Sequence, residues 1–114
     1  MKNYIKYISI ILTIIIHVCQ GITLTREYIA QKYDLGSELM IRPTDIDLSN
    51  MNIDKIEEHA FTGLDFIETL VLDYNNITEL DPNLFIDLKK LNHLSIAHNR
   101  LKSIQSNDFK GLSS

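Results

Sequence analysis

The sequence predicts an α/β solenoid, in which short parallel strands lie side by side and each is followed by a return segment leading to the next. Three observations predict it. Phe61, Phe85 and Phe109 share one fixed spacing, and each is followed three residues later by a leucine, Leu64, Leu88 or Leu112. An apolar pair recurs at the same period, as Ile46/Leu48, Leu70/Leu72 and Leu94/Ile96. Five residues beyond each pair stands Ile53, Ile77 or Leu101, and three further on Ile56, Leu80 or Ile104, with Ile67 and Leu91 closing the frame. Each of these slots holds Ile, Leu or Phe. A period of about 24 residues marks an architecture whose units bury their apolar side chains only against neighbouring units.

The first element is an address rather than part of that frame. Lys2 and Lys6 precede an almost wholly apolar run from Ile8 to Val18. That run is about half of the roughly twenty residues a membrane span requires, and it matches a signal-peptide apolar region. Cys19-Gln20-Gly21 places small residues one and three positions before a cut after Gly21, so residues 1–21 read as a signal peptide. An uncleaved anchor is too short, a lipidated Cys19 lacks a small residue before it, and a buried strand does not explain the lysine flank. Cleavage removes Lys2, Lys6 and Cys19, leaving residues 22–114 more acidic and without cysteine.

Residues 22–44 match the period poorly and read as an improvised N-terminal cap. Within them, Thr25 before Arg26, Ile29 and Tyr33 four apart, and Gly36 as a stop predict a short helix over Arg26–Leu35. Ser37–Ile41 reads as an edge strand or half-coil. Residues 45–114 then divide into three units, 45–68, 69–92 and 93–114.

Leu70-Val71-Leu72-Asp73-Tyr74-Asn75-Asn76-Ile77 and Leu94-Ser95-Ile96-Ala97-His98-Asn99-Arg100-Leu101 both read LxLxxNxL. This pattern, with a phenylalanine in each return segment, resembles the animal extracellular class of the leucine-rich repeat family, which includes Toll-type receptor ectodomains, adhesion proteins and secreted insect immune proteins. The resemblance covers about Asp45 to Leu112. It implies a right-handed coil with a short parallel sheet on its concave face, and protein binding on that face. Relatives usually carry cysteine-rich caps; this chain has none. Asn75 and Asn99 fill the slot whose carboxamide supplies donors and acceptors to buried backbone groups after the strand. Met51 fills the first such slot and cannot do so, which marks a terminal unit.

Side chains alternate along a strand, so the outward positions are Asp45, Asp47 and Ser49, then Thr69, Val71 and Asp73, then His93, Ser95 and Ala97. Asn50, Tyr74 and His98 flank them, followed by Asn52, Asn76 and Arg100. Tyr74, His98 and Arg100 are the expected anchors for a protein ligand, because aromatic and arginine side chains dominate interface energetics. An ordinary solvated surface is the plain alternative. His93, Ser95 and Asp73 do not make a triad: same-face strand neighbours are about 6.6 Å apart, and an open sheet offers no oxyanion hole. Asp45, Asp47 and Asp73 match no calcium loop, and Glu57-Glu58-His59 is not a zinc motif, so no metal and no cofactor is expected. Asn76-Ile77-Thr78 is an N-glycosylation sequon with Asn76 expected to face solvent.

The net charge of −4 argues against nucleic-acid and anionic-membrane partners. The expected function is that of a secreted or extracellular protein-binding module in immune recognition, adhesion or receptor signalling, without enzymatic activity and without a membrane span in the mature chain. Two alternatives stand beside it: an N-terminal fragment of a membrane-tethered receptor, and a structural or matrix component. The sequence reaches Ser114 where a return segment should enter another strand, so self-association through that open end is a further expectation.

Overall fold

The computed structural model describes residues 6–11, 21–36 and 42–112. Residues 6–11 are helical and exposed; the rest of the apolar run with Cys19, and the Ser37–Ile41 segment read as an edge strand, lie outside the described residues. No helix among the described residues is long and apolar enough to cross a membrane.

The described elements are β1 (Ile22–Leu24), α1 (Arg26–Lys32), β2 (Asp45–Asp47), β3 (Ile53–Ile56), β4 (Thr69–Val71) and β5 (His93–Ser95). They form two open parallel sheets, one ordered β1-β3 and the other β2-β4-β5. In the larger sheet Ile46 pairs with Leu70, and Leu70 with Leu94, so the register advances by one sequence period per strand. The ladder continues past each strand: Leu48 N–H donates to Val71 C=O and Leu72 N–H to Ser95 C=O, both at 2.8 Å. Alternation then decides burial. Ile46, Leu48, Leu70 and Leu72 are fully buried, while Asp45 and Asp47 between them are exposed.

Behind the sheet, Ile53, Leu64, Ile67 and Ile77 complete the core without exposed surface. The phenylalanines form a column: Phe61 and Phe85 stack at 6.0 Å between ring centroids, as do Phe85 and Phe109. Stacking keeps each return segment in step with the next. Gly111 shows how closely those segments approach. Its φ is +96°, and a Cβ there would lie 2.7 Å from the Ile86 Cα, so only glycine fits. Burial declines in the third repeat. Leu94, Ile96 and Leu101 are half-buried, and Ile104, whose slot predicts a core residue, is 65% exposed because no described neighbour covers it.

Helix α1 closes the other side of the core. Thr25 caps it by accepting the Tyr28 N–H at 3.1 Å, and Ile29 is fully buried. Arg26 Nε donates to the Thr62 carbonyl at 2.8 Å, tying the helix to the first return segment. The helix is shorter than its sequence suggests, and its stop is not Gly36. Leu35 N–H donates to Ala30 C=O and Asp34 N–H to Gln31 C=O, with Asp34 at φ 50°. This is a Schellman ending in which aspartate takes the left-handed position that glycine usually fills.

Tyr33, expected only as a packing residue of the helix, also treats the free edge of β2. Its hydroxyl accepts the Asp47 N–H at 2.9 Å and donates to the Asp47 C=O at 2.8 Å. One phenol thus stands where a neighbouring strand would pair and blunts an edge open to unwanted pairing. Burial, the largest influence, raises the Tyr33 pKa above its ordinary value. Folding therefore favours the neutral phenol, and this contribution is present below the unfolded pKa and lost as pH rises through the folded one.

Two expected outcomes follow in urea denaturation. Phe85→Ala, which empties the middle of the stacked column, should destabilise the protein by about 3–5 kcal/mol. Tyr33→Phe should cost about 1–2 kcal/mol at neutral pH and flatten the alkaline fall in stability that wild type shows above about pH 10; an unchanged alkaline limb would show that Tyr33 is not its source.

Candidate protein-binding face

The outer face of the β2-β4-β5 sheet is built in rows that the strand register dictates. Asp45, Thr69 and His93 form the first row; Asp47, Val71 and Ser95 form the second. Asn50 N–H donates to Asp73 C=O at 3.1 Å and Tyr74 N–H to Ala97 C=O at 3.0 Å, which carries the rows onward through Ser49, Asp73 and Ala97.

The polar groups of these rows are turned toward one another. Ser49 gives Asp47 both its hydroxyl, at 2.6 Å, and its amide, at 2.9 Å. These two bonds hold the Asp47 carboxyl below the usual carboxylate range. Ser95 Oγ lies 2.7 and 2.9 Å from the two Asp73 carboxylate oxygens, and the Ala97 amide donates to the same carboxylate at 2.7 Å. The Ser95 hydroxyl proton is therefore directed to Asp73, not to His93. Asp45 accepts from Thr44 Oγ1 at 3.2 Å. Among the described residues no group of three or more His, Cys, Asp or Glu side chains could hold a metal ion.

The next row departs from ordinary backbone geometry. Asn50, Tyr74 and His98 occupy one slot in successive repeats, with φ of 55°, 56° and 54°. Asparagine and histidine adopt this left-handed conformation more readily than most residues, whereas a tyrosine there is strained. Tyr74 and His98 nonetheless hold it, and their rings stack at 4.3 Å with an interplanar angle of 6°. Tyr74 is 55% exposed, and His98 and the following Arg100 are exposed as well. The turn thus lifts a two-ring platform from the end of the sheet. Sequence spacing identified the residues but not the strain; the asparagine at position 50 was the available signal for a left-handed slot.

Beneath the platform lie the asparagines. Asn75, 5% exposed, accepts the Met51 and Ile53 N–H groups on Oδ1, each at 3.0 Å. Its Nδ2 donates to the carbonyls of Leu48 at 2.9 Å and Leu72 at 3.0 Å. Asn99 repeats the arrangement one unit on, accepting from Ile77 N–H at 3.1 Å and donating to Leu72 C=O at 2.9 Å. Each carboxamide therefore serves the repeat before its own as well as its own strand. Met51, in the corresponding slot of the first repeat, has no carboxamide and packs, partly buried, against the core.

Asn76 is half-buried rather than fully facing solvent. Its Nδ2, the atom a glycan would occupy, donates to Asn52 Oδ1 at 2.6 Å.

A parallel sheet that adds one strand per repeat, held by a carboxamide in the second and third repeats and backed by an aromatic column, defines a repeat protein that grows by stacking. A family model described as leucine rich repeat matches residues 44–101 and 66–114, and the chain belongs to that family. Over 69 residues, 60% of the chain, it is 35% identical to Toll-like receptor 10 of Bos taurus. The aligned part is 8% of that receptor, so the chain spans less than a tenth of this relative's length. No solved structure gives a significant match.

Replacing Asn75 by leucine should strand the Met51 and Ile53 amides and the Leu48 carbonyl, lowering stability by about 3 kcal/mol or more. The same change at half-exposed Asn99, where water can replace the lost bonds, should cost less than half as much. Urea unfolding of the two variants checks this; equal losses would contradict it.

Proposed function

We propose that the chain is an extracellular protein-binding module, that its repeats are turns of a right-handed solenoid, and that the outer sheet face receives a protein ligand. One observation carries the reading: Tyr74 and His98 are held, stacked and exposed, on left-handed backbone that strains the tyrosine. Such strain persists at functional sites when the surrounding structure holds it in place. Arg100 extends the platform, and Thr69, Val71, Asp73, His93, Ser95 and Asp47 form the floor beside it. In the floor Asp47 is paired with Ser49 and Asp73 with Ser95, which suits binding of a surface and not catalysis; no enzymatic step and no cofactor belong to this reading.

Similarity to Toll-like receptor 10 supports immune recognition over adhesion as the setting. The small share of that receptor covered supports a second reading, in which these repeats are a segment of a membrane-tethered receptor ectodomain. A matrix role, or self-association through the β5 edge, has no comparable support. Entry into the secretory route by a signal peptide over residues 1–21, and a glycan on Asn76, complete the proposal. The glycan is supported by the sequon with Thr78 and by the one amide hydrogen Asn76 would retain to keep its bond to Asn52.

The experiment is affinity capture from native extracellular fluid with tagged wild-type protein and two variants. The double variant Tyr74→Ala, His98→Ala should lose captured protein at least tenfold, since anchor residues each contribute about 2 kcal/mol or more. Glu58→Ala, on the exposed return side, should leave capture unchanged. Equal retention by the platform variant would overturn the assignment of the face.

A further inference from the structure

We propose that Asp54 is the docking site for a new chain terminus: hydrolysis after Gly21 frees an α-ammonium group at Ile22, which pairs with the Asp54 carboxylate and fastens β1 to β3. The inference extends the leader reading of residues 1–21 and does not depend on which protein the outer face binds.

Three observations place the groups. Ile22 is the first residue of β1, is registered opposite Ile53, and donates its N–H to the Asn52 carbonyl at 2.8 Å. Asp54 follows Ile53 on β3 and is half-buried. Its side chain lies directly against the Gly21 backbone: a Cβ at position 21 would overlap the carboxylate Oδ2 and Cγ, and would come within 2.7 Å of the Asp54 Cβ. The Gly21 Cα is therefore in contact with the carboxylate, and the Ile22 nitrogen, two bonds further along, is within about 6 Å of it.

The chemistry balances with water alone as co-reactant. The Gly21 carbonyl carbon to Ile22 nitrogen bond breaks. Water supplies hydroxyl to the carbonyl, which leaves as a carboxylate with the leader, and hydrogen to the nitrogen. The proton that the new carboxylic acid releases is taken up by the amine, below its ordinary pKa of about 8. An amide nitrogen with one hydrogen thus becomes an ammonium with three. One hydrogen keeps the Asn52 carbonyl. Departure of Gly21 clears the space in front of Asp54, and a side-chain rotation brings the carboxylate to the remaining hydrogens. Before cleavage the same carboxylate faces a glycine backbone that offers it no positive charge. The small residue at position 21 thus serves two ends: it permits the cut and allows Asp54 to wait beside it.

The test begins with the full chain expressed in a secretory host. Intact mass and N-terminal sequencing of the secreted protein should give Ile22 as the first residue; a retained leader, or a start beyond Ile22, would overturn the proposal. The α-amine is then titrated by the pH dependence of its carbamylation. In wild type it should titrate above the ordinary α-amino range of about 7.7–8.0, and Asp54→Asn should lower it by about one unit. Should Asp54→Asn not be secreted, the wild-type amine decides by itself: titration above that range supports the pair, and titration within it overturns it.

Discussion

The buried carboxamide of Asn75 is the interaction on which the rest of this structure depends. A chain that leaves a strand and turns back must bury backbone N–H and C=O groups that no neighbouring strand can reach. In an open parallel sheet of three-residue strands there is little ladder to spare, so an unmatched group is proportionally costly. A single side chain with two donors and a two-lone-pair acceptor meets the amides of Met51 and Ile53 and the carbonyls of Leu48 and Leu72. Because those partners lie in two successive repeats, the bond that finishes one turn also sets its distance to the next. The phenylalanine column does the same on the far side of the core, with apolar contact in place of hydrogen bonds. Two lines of like residues, one polar and one aromatic, thereby hold sheet and return segments at one spacing.

Directionality follows. Each asparagine reaches back to the preceding repeat as well as to its own strand; the first repeat has Met51 in that slot and needs something to close its outer edge. Tyr33 supplies it by bridging the backbone of Asp47, and Ile29 with Leu24 covers the apolar end. The third repeat shows the converse. Its strand is paired on one side, Asn99 is half-exposed, and Ile104 has no described cover. Order in such a stack is local, with each unit drawing its stability from the adjacent one. The same tight turn shapes the end of the outer sheet face. Residues 50, 74 and 98 are all left-handed where the chain changes direction after its strand, whether Met51 or an asparagine follows, and Asn50, Tyr74 and His98 are exposed there. Tyr74 and His98 take a conformation that each of the three repeats adopts at this slot.

Much of this was legible in the sequence because periodicity and burial report the same thing. Leu70, Leu72, Ile77, Phe85 and Leu88 are core wherever the period places them, and the register of β2, β4 and β5 follows from counting. What escaped was whatever breaks the period or depends on one atom. The β1-β3 pairing lies partly outside the repeat, so no spacing announced it. Tyr33 looked like helix packing because only its hydroxyl does the edge work. Asp34 and not Gly36 is the helix stop because aspartate, among the few non-glycine residues that visit the left-handed region, completes a hydrogen-bonded ending there. The outward residues were legible as positions, yet their pairing was not: nothing in the spacing says that Ser95 turns to Asp73, or that Tyr74 and His98 stack.

Amide hydrogen exchange at Met51 and Ile53 tests the central claim most directly, because the acceptor described for both is the Asn75 side-chain oxygen. Both amides should be protected to within about tenfold of the ladder amides of Leu48 and Leu72, although Met51 lies in a bend and Ile53 is only the first residue of β3, since their opening requires the repeats to separate. Exchange at the rate of an exposed turn amide would show that the carboxamide does not hold the stack.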